Sequence, residues 1–305
     1  LNGKHIGTSV QGLVPNQYDV TDVLKPGQEN QLLIGLADRD ALVDPATRTL
    51  IAPCSGVTAG LWGRVELQFL PAVHIEDVFV QTFVENKKIA LELTLSNHSK
   101  TVQSIMPLAV VLDDQQVSRC NLNAKSVTLK AGEKTTIRLQ QDWLADNLWS
   151  PDMPYLYTVK VQLKHQDNVI DDMQTSFGFR EFTIKGTDFY LNGRKTRLLR
   201  NSMLTGLNAD EHQAWFGDIR GGSLREAAGR PYNTIRLHLG FNNEHLIDAA
   251  DQIGLMVVPE SSWYHVSEYP AAASDKYLPN LIDYFQRWEK LHRNHPSIVM
   301  WSLTN

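Results

Sequence analysis

Residues 233–260 read N-T-I-R-L-H-L-G-F-N-N-E-H-L-I-D-A-A-D-Q-I-G-L-M-V-V-P-E, and this stretch decides the fold. Its flanks, 234–237 and 255–258, are short apolar runs of the length expected for buried strands. Between them Leu246, Ile247, Ala250 and Ile253 recur at helical spacing, so one face of the intervening segment is apolar. Asn243 offers an N-cap side chain, and Gly254 can close the helix in the left-handed conformation. A strand, a helix and a second strand in one run predict parallel strands joined by a crossover.

Working outward, further strands are predicted at 196–199 and 298–303. Leu278, Leu281, Ile282, Phe285 and Trp288 form a second amphipathic stripe before the last of these, and a shorter helix is predicted over 223–228. The resulting parallel β/α array fits either a doubly wound sheet or half of an eight-stranded barrel. Gly217, Gly221 and Gly222 lie in a polar loop with no strand end before them, which argues against a nucleotide site.

Upstream the pattern is β. Ile89, Leu91, Leu93 and Leu95 alternate with other residues, as do Tyr157, Val159, Val161 and Leu163. Turn signals stand at Asn2-Gly3, Pro26-Gly27, Ala131-Gly132 and Pro151-Asp152. A break falls near Pro71, after a strand over 64–70; the roughly 110 residues beyond it have the size and strand count of an immunoglobulin-like sandwich. The expected organisation is therefore part of one sandwich (1–71), a second, immunoglobulin-like sandwich (72–183), and the start of a β/α domain (184–305).

Composition narrows the function. Of 305 residues, 42% are hydrophobic and 21% charged, and 29 Lys and Arg against 34 Asp and Glu give a net charge of −5. Without a Lys/Arg run, neither nucleic acid nor an anionic membrane finds a basic patch, and no apolar run reaches the roughly 18 residues of a membrane span. The two cysteines, Cys54 and Cys120, fall in different predicted domains, so no disulfide is expected. The chain opens at Leu1 and closes at Asn305 directly after an apolar strand; both ends read as cuts, and localisation stays open between cytoplasm and periplasm.

In a β/α barrel, chemistry gathers where strands end. Here the second strand ends in Arg236 and His238, the third in Glu260 and the fourth in Asn305. Each polar group follows an apolar run and needs a buried partner. Arg236 and Glu260 read equally as an internal ion pair or as substrate contacts, and His238 as a ligand contact or a structural histidine. Trp301 reads as core, whereas Trp263 and Tyr264, just past the third strand, suit stacking on a sugar face or anchoring a loop.

The stretch H-R-N-H-P-S-I-V-M-W-S-L-T-N, residues 292–305, closely resembles the acid/base signature of glycoside hydrolase family 2, the family of β-galactosidases, β-glucuronidases and β-mannosidases. The family pattern continues into a Glu, expected here immediately after Asn305, and has Gly where this chain has Thr304. Other segments resemble the family in order: L-N-G-K-H-I-G and Y-D-V-T-D-V-L-K-P-G-Q-E-N its N-terminal sugar-binding jelly roll, P-A-V-H-I-E-D-V-F-V the opening of its immunoglobulin-like domain, and F-G-F-R-E-F-T-I-K-G-T-D-F-Y-L-N-G-R its bridge into the catalytic barrel. The resemblance implies a multidomain β plus α/β protein: a partial jelly-roll sandwich, an immunoglobulin-like β-sandwich and the first half of a (β/α)8 TIM barrel.

It also implies hydrolysis of terminal β-linked sugars, galactoside-like, with retention by two carboxylates, neither of which lies in this chain. Asn305 matches the Asn that bonds the sugar 2-hydroxyl, Arg236 the Arg behind the nucleophile, and Glu260 the acid ending the third strand. His238 stands one place earlier than the usual His of R-x-S-H. Two departures touch the sugar pocket. R-N-S-M-L-T, residues 200–205, replaces R-G-V-N-R-H after the first barrel strand, and the magnesium-binding acid and His of some β-galactosidases fall on Tyr264 and Val266. No cofactor is expected to be required; a magnesium site is unsupported by the residues present unless His265 and Glu268 replace the usual ligands, and the expected partner is a β-glycoside, with self-association of the parent protein left open. The alternatives are a non-catalytic carbohydrate-binding or adhesion protein of the same architecture, or a β-glucuronidase or β-mannosidase. The isolated chain is expected to be inactive and poorly folded in its last third, because half a barrel cannot close its sheet.

Overall fold

The computed structural model describes residues 1–53, 60–61, 63–204, 232–238, 244–261 and 275–303. The helix expected at 223–228, the loop glycines 217, 221 and 222, Cys54 and the N-cap Asn243 lie outside these.

The best-formed unit is a two-sheet antiparallel sandwich. One sheet runs β1 (Val73–Phe83), β2 (Lys88–Asn97), β6 (Lys134–Asp142). The other runs β4 (Ser118–Asn123), β3 (Gln103–Leu112), β7 (Tyr157–His165), β8 (Asn168–Phe177), with short β5 (Val127–Leu129) also on β3. The alternation read in the sequence is the inward face: Ile89, Leu91, Leu93 and Leu95 from one sheet meet Val159, Val161 and Leu163 from the other, all fully buried. Each such side chain contributes about 1.5–3 kcal/mol on burial. Cys120 is a buried free thiol in this core.

Where part of a jelly roll is expected, the described residues of 1–71 contain one 3-10 turn (Arg39–Leu42), one isolated bridge (Val43↔Leu50) and no regular strand. The backbone is largely extended, but an extended segment becomes sheet only when a neighbour completes its ladder. Leu33 at 88% and Phe69 at 77% exposure show the apolar alternation left uncovered. The expected turns at Asn2-Gly3, Pro26-Gly27, Ala131-Gly132 and Pro151-Asp152 are all present.

After the sandwich comes a meander, β9 (Phe182–Lys185), β10 (Asp188–Leu191) and β11 (Arg194–Thr196), turned at Asn192 and Gly193, both with positive φ (53° and 76°). The meander corrects the first barrel strand expected at 196–199. Thr196 still pairs antiparallel with Phe189, and the first parallel strand is β12 (Arg200–Leu204). The tight turn forces the chain to pair back on β10 before it can leave. R-N-S-M-L is thus the strand itself rather than the loop after it.

The parallel sheet continues with β13 (Thr234–His238) and β14 (Met256–Pro259), and the expected fourth strand joins β14 through bridges Val257↔Ile298 and Glu260↔Ser302. Helix α1 (Glu244–Ile253) covers one face: Leu246, Ile247 and Ala250 pack on Ile235, Leu237 and Val257. Gly254 ends it at φ 78°. Helix α2 (Tyr277–His292) precedes the fourth strand. Its seam is turned from the expected one: Tyr277, Leu281, Tyr284, Trp288 and His292 are buried, while Leu278 (61%) and Ile282 (48%) are exposed. Two tyrosines, polar by composition, join the seam because Val14 and Leu50 of the N-terminal segment lie against Tyr277, Leu281, Tyr284 and Trp288.

The sandwich and the parallel sheet share a built junction. Trp149, fully buried, donates its indole N–H to the Asp251 carbonyl (2.8 Å). A Cβ on Gly178 would fall 2.6 Å from Trp149 Cβ and 2.7 Å from Pro296 Cβ, so only glycine fits there. Arg180 donates to the carbonyls of Pro296 (2.9 Å) and Ile298. Enclosure of its guanidinium lowers its pKa to about 10, with the Asp251 carboxylate working the other way. Among the described residues, no helix is long and apolar enough to cross a membrane.

Candidate active site

Strand periodicity separates two faces of β13. Ile235 and Leu237 point to α1 and its core, so Arg236 and His238 point to the opposite side, toward the interior of a barrel. Both keep partial exposure, 19% and 22% for their side chains. Glu260, one residue past β14, is fully buried and lies between them at the carboxyl end of the sheet.

The Glu260 carboxylate is engaged on both oxygens. Oε1 pairs with His238 Nδ1 at 2.8 Å. Oε2 accepts from the Arg236 guanidinium and from the Ser302 hydroxyl at 2.9 Å. The backbone holds the same register: Glu260 N–H donates to the Leu237 carbonyl (3.1 Å), and Ser261 N–H to the Ser302 carbonyl (2.9 Å). Three strands therefore converge on one carboxylate. A buried charge of this kind is tolerable only when its lone pairs are met, and here Arg, His and Ser meet them.

This arrangement does not present Glu260 as a proton donor or nucleophile. Its oxygens are committed to fixing a guanidinium and an imidazole at the mouth of the sheet, where both remain partly open to solvent. The site can thus orient and charge-match a polar ligand above the strand ends.

Arg236, His238 and Glu260 are brought together at the strand ends, and of the two readings for Arg236 and Glu260 the geometry shows the internal ion pair. Asn305 and Trp263 lie outside the described residues, as do Tyr264 and Val266. Ser302 is a member of the cluster that sequence reasoning misses, although it sits in the quoted motif four residues after the buried Ile298. Trp301, read as core, packs edge-on against Trp288 at 4.8 Å between centroids. The polar residues opening that motif serve another purpose. Asn294 pairs with the sandwich, accepting from Val80 N–H (2.9 Å) and donating to the Val78 carbonyl (2.7 Å), and Arg293 sits on the Phe79 ring and pairs with Asp77.

Comparison with known proteins gives two family matches. The family described as Glycosyl hydrolases family 2 matches residues 73–180, and the Glycosyl hydrolases family 2, TIM barrel domain matches residues 182–305. A β-galactosidase of Thermoanaerobacter pseudethanolicus is 27% identical over 99% of this chain, which covers 40% of that protein. A solved family 2 member from Bacteroides cellulosilyticus superposes with a TM-score of 0.64 at 26% identity, over 77% of this chain and 32% of that one. A Bacteroides uniformis β-glucuronidase gives the same TM-score, 0.64, at 21% identity, over 77% of this chain and 29% of that one, a likeness of fold. The chain spans roughly a third of the length of the relatives it matches. With a sandwich followed by the opening strands of a parallel barrel, and consecutive family matches over both, the chain belongs to glycoside hydrolase family 2.

Proposed function

We propose that the protein carrying this chain is a retaining exo-β-glycosidase that removes terminal β-linked sugars, with β-galactosides as the first substrate class. The observation that carries the reading is the buried Glu260 held by Arg236, His238 and Ser302 at the carboxyl end of the parallel sheet. In this reading Arg236 sits behind the nucleophile, which comes from a later strand, and its positive charge keeps that carboxylate ionised. The acid/base Glu follows Asn305, which bonds the sugar 2-hydroxyl, and Trp263 offers an aromatic face to the ring. Reaction proceeds through a covalent glycosyl intermediate, the acid protonating the leaving oxygen and then activating water.

No cofactor is assigned. Tyr264 and Val266 occupy the positions where some relatives by resemblance bind magnesium, and a phenol and an isopropyl group are unsuited to a hard cation that favours carboxylate and water oxygens. The β-glucuronidase reading stays in view because a Formosa agariphila protein named "Putative beta-glucuronidase" is 24% identical over the whole of this chain, which covers 36% of that protein. A panel of p-nitrophenyl β-galactoside, β-glucuronide and β-mannoside on the full-length protein tests the proposal. Turnover of the galactoside above the other two supports it; preference for the glucuronide moves the substrate class, and no turnover on any favours a non-catalytic carbohydrate-binding protein.

A further inference from the structure

A second cluster lies at the amino-terminal end of the parallel sheet, away from Glu260. Asp248 and Asp251 are three residues apart on α1 and so share a helix face. His295, in the turn after α2, closes on them: its Nδ1 is 2.6 Å from Asp251 Oδ2 and 3.9 Å from Asp248 Oδ1. One ligand atom from each of the three falls within 4.8 Å of the others, the one such grouping among the described residues. Ligands at the usual 2.0–2.2 Å around a tetrahedral ion stand roughly 3.3 Å apart. The two distances from His295 straddle that value, so small side-chain movements suffice to seat an ion. Two carboxylates and a neutral imidazole also balance a divalent charge, although Asp251 additionally feels the Arg180 guanidinium.

An independent observation points to the same place. His292 is 1% exposed and its Nδ1 has no hydrogen-bond partner, and Ser297 is 0% exposed with an unpartnered hydroxyl. The His292 ring lies 5.9 Å from the His295 ring, and the Ser297 backbone N–H donates to Asp251 Oδ1 at 2.9 Å. Buried polar groups are normally satisfied, and orphans beside a ligand set are what an ion with its ordered waters would complete.

We propose that Asp248, Asp251 and His295 form a site for a first-row divalent cation of the zinc class, with His292 and Ser297 beside it as partners for its bound water. The mixed oxygen and imidazole set suits such an ion. Its place at the amino end of the strands assigns it to stability, as a staple between α1 and the segment that enters the fourth strand. It stands independently of the glycosidase reading.

The test uses the full-length protein stripped with EDTA and titrated with ZnCl2 by calorimetry, alongside Asp248→Ala. Asp248 is 55% exposed, and its loss leaves the Asp251 bonds to His295 and Ser297 intact. Saturable Zn2+ uptake with a rise in Tm, weakened at least tenfold in Asp248→Ala while the EDTA-form Tm stays unchanged, is the expected result. Absence of stoichiometric uptake, or equal affinity and equal Tm rise in the variant, would overturn the site.

Discussion

Replacing Gly254 by Ala tests how the sandwich and the parallel sheet are joined. Gly254 has φ of +78°, and an added Cβ would lie 2.5 Å from the Pro151 carbonyl oxygen and 2.8 Å from Pro151 Cα. Left-handed backbone costs an alanine about 1–2 kcal/mol. The overlap is with backbone on both counts, so relief requires the 149–151 segment to move, and overpacking of this kind adds about 1–3 kcal/mol. Gly186 supplies the control: its φ is +63°, but an added Cβ would meet nothing within 4 Å, so Gly186→Ala carries the backbone cost alone. Thermal unfolding of both variants, with the transition converted to free energy, separates the two contributions. Gly254→Ala should be the less stable by at least about 1 kcal/mol, or roughly 2–4 °C in a domain of this size. Equal destabilisation by the two substitutions would refute the close approach of Pro151 to the end of α1.

Two further outcomes follow from the charged groups. Glu260→Gln removes the negative charge facing Arg236 and His238 and should cost on the order of 3 kcal/mol by denaturant titration, and roughly 10²-fold in kcat on the preferred glycoside, because the guanidinium and imidazole lose their anchor; an unchanged kcat would place the cluster outside the reaction. Asp113 accepts from the Val117 N–H, which with the Arg119 guanidinium and the Gln115 N–H holds its pKa below the ordinary 3.8. A depressed folded pKa stabilises above the unfolded value and is lost as pH falls through the folded one, so the sandwich should lose stability below about pH 4. Asp113→Asn should show a shallower acid decline in urea midpoints between about pH 6 and pH 3, and identical declines would remove Asp113 from the acid response.

Much of the architecture is legible because burial leaves a period. The Ile89 to Leu95 and Tyr157 to Leu163 alternations mark the sandwich core, and the Leu246–Ile253 spacing marks α1. Arg236, His238 and Glu260 can be found because each interrupts or ends an apolar run that the sheet must bury. What escapes depends on contacts distant in sequence. The α2 seam is set by Val14 and Leu50, more than 200 residues away, and propensity alone favours Leu278 and Ile282 over Tyr284. Leucines at 198 and 199 look like a strand and draw the first parallel strand too early, whereas pairing to β13 selects Arg200–Leu204. Ser302 carries no signal of its own; only the bridge to Glu260 gives its hydroxyl a role. The roles of Arg293 and Asn294 likewise need the sandwich in place beside them.

The most direct measurement of the central proposal is the anomer formed first when the full-length protein hydrolyses its preferred p-nitrophenyl β-glycoside, followed by proton NMR before mutarotation. The two-carboxylate displacement predicts the β-anomer as first product. An α-anomer appearing first, or no sugar released from any β-glycoside, would contradict it.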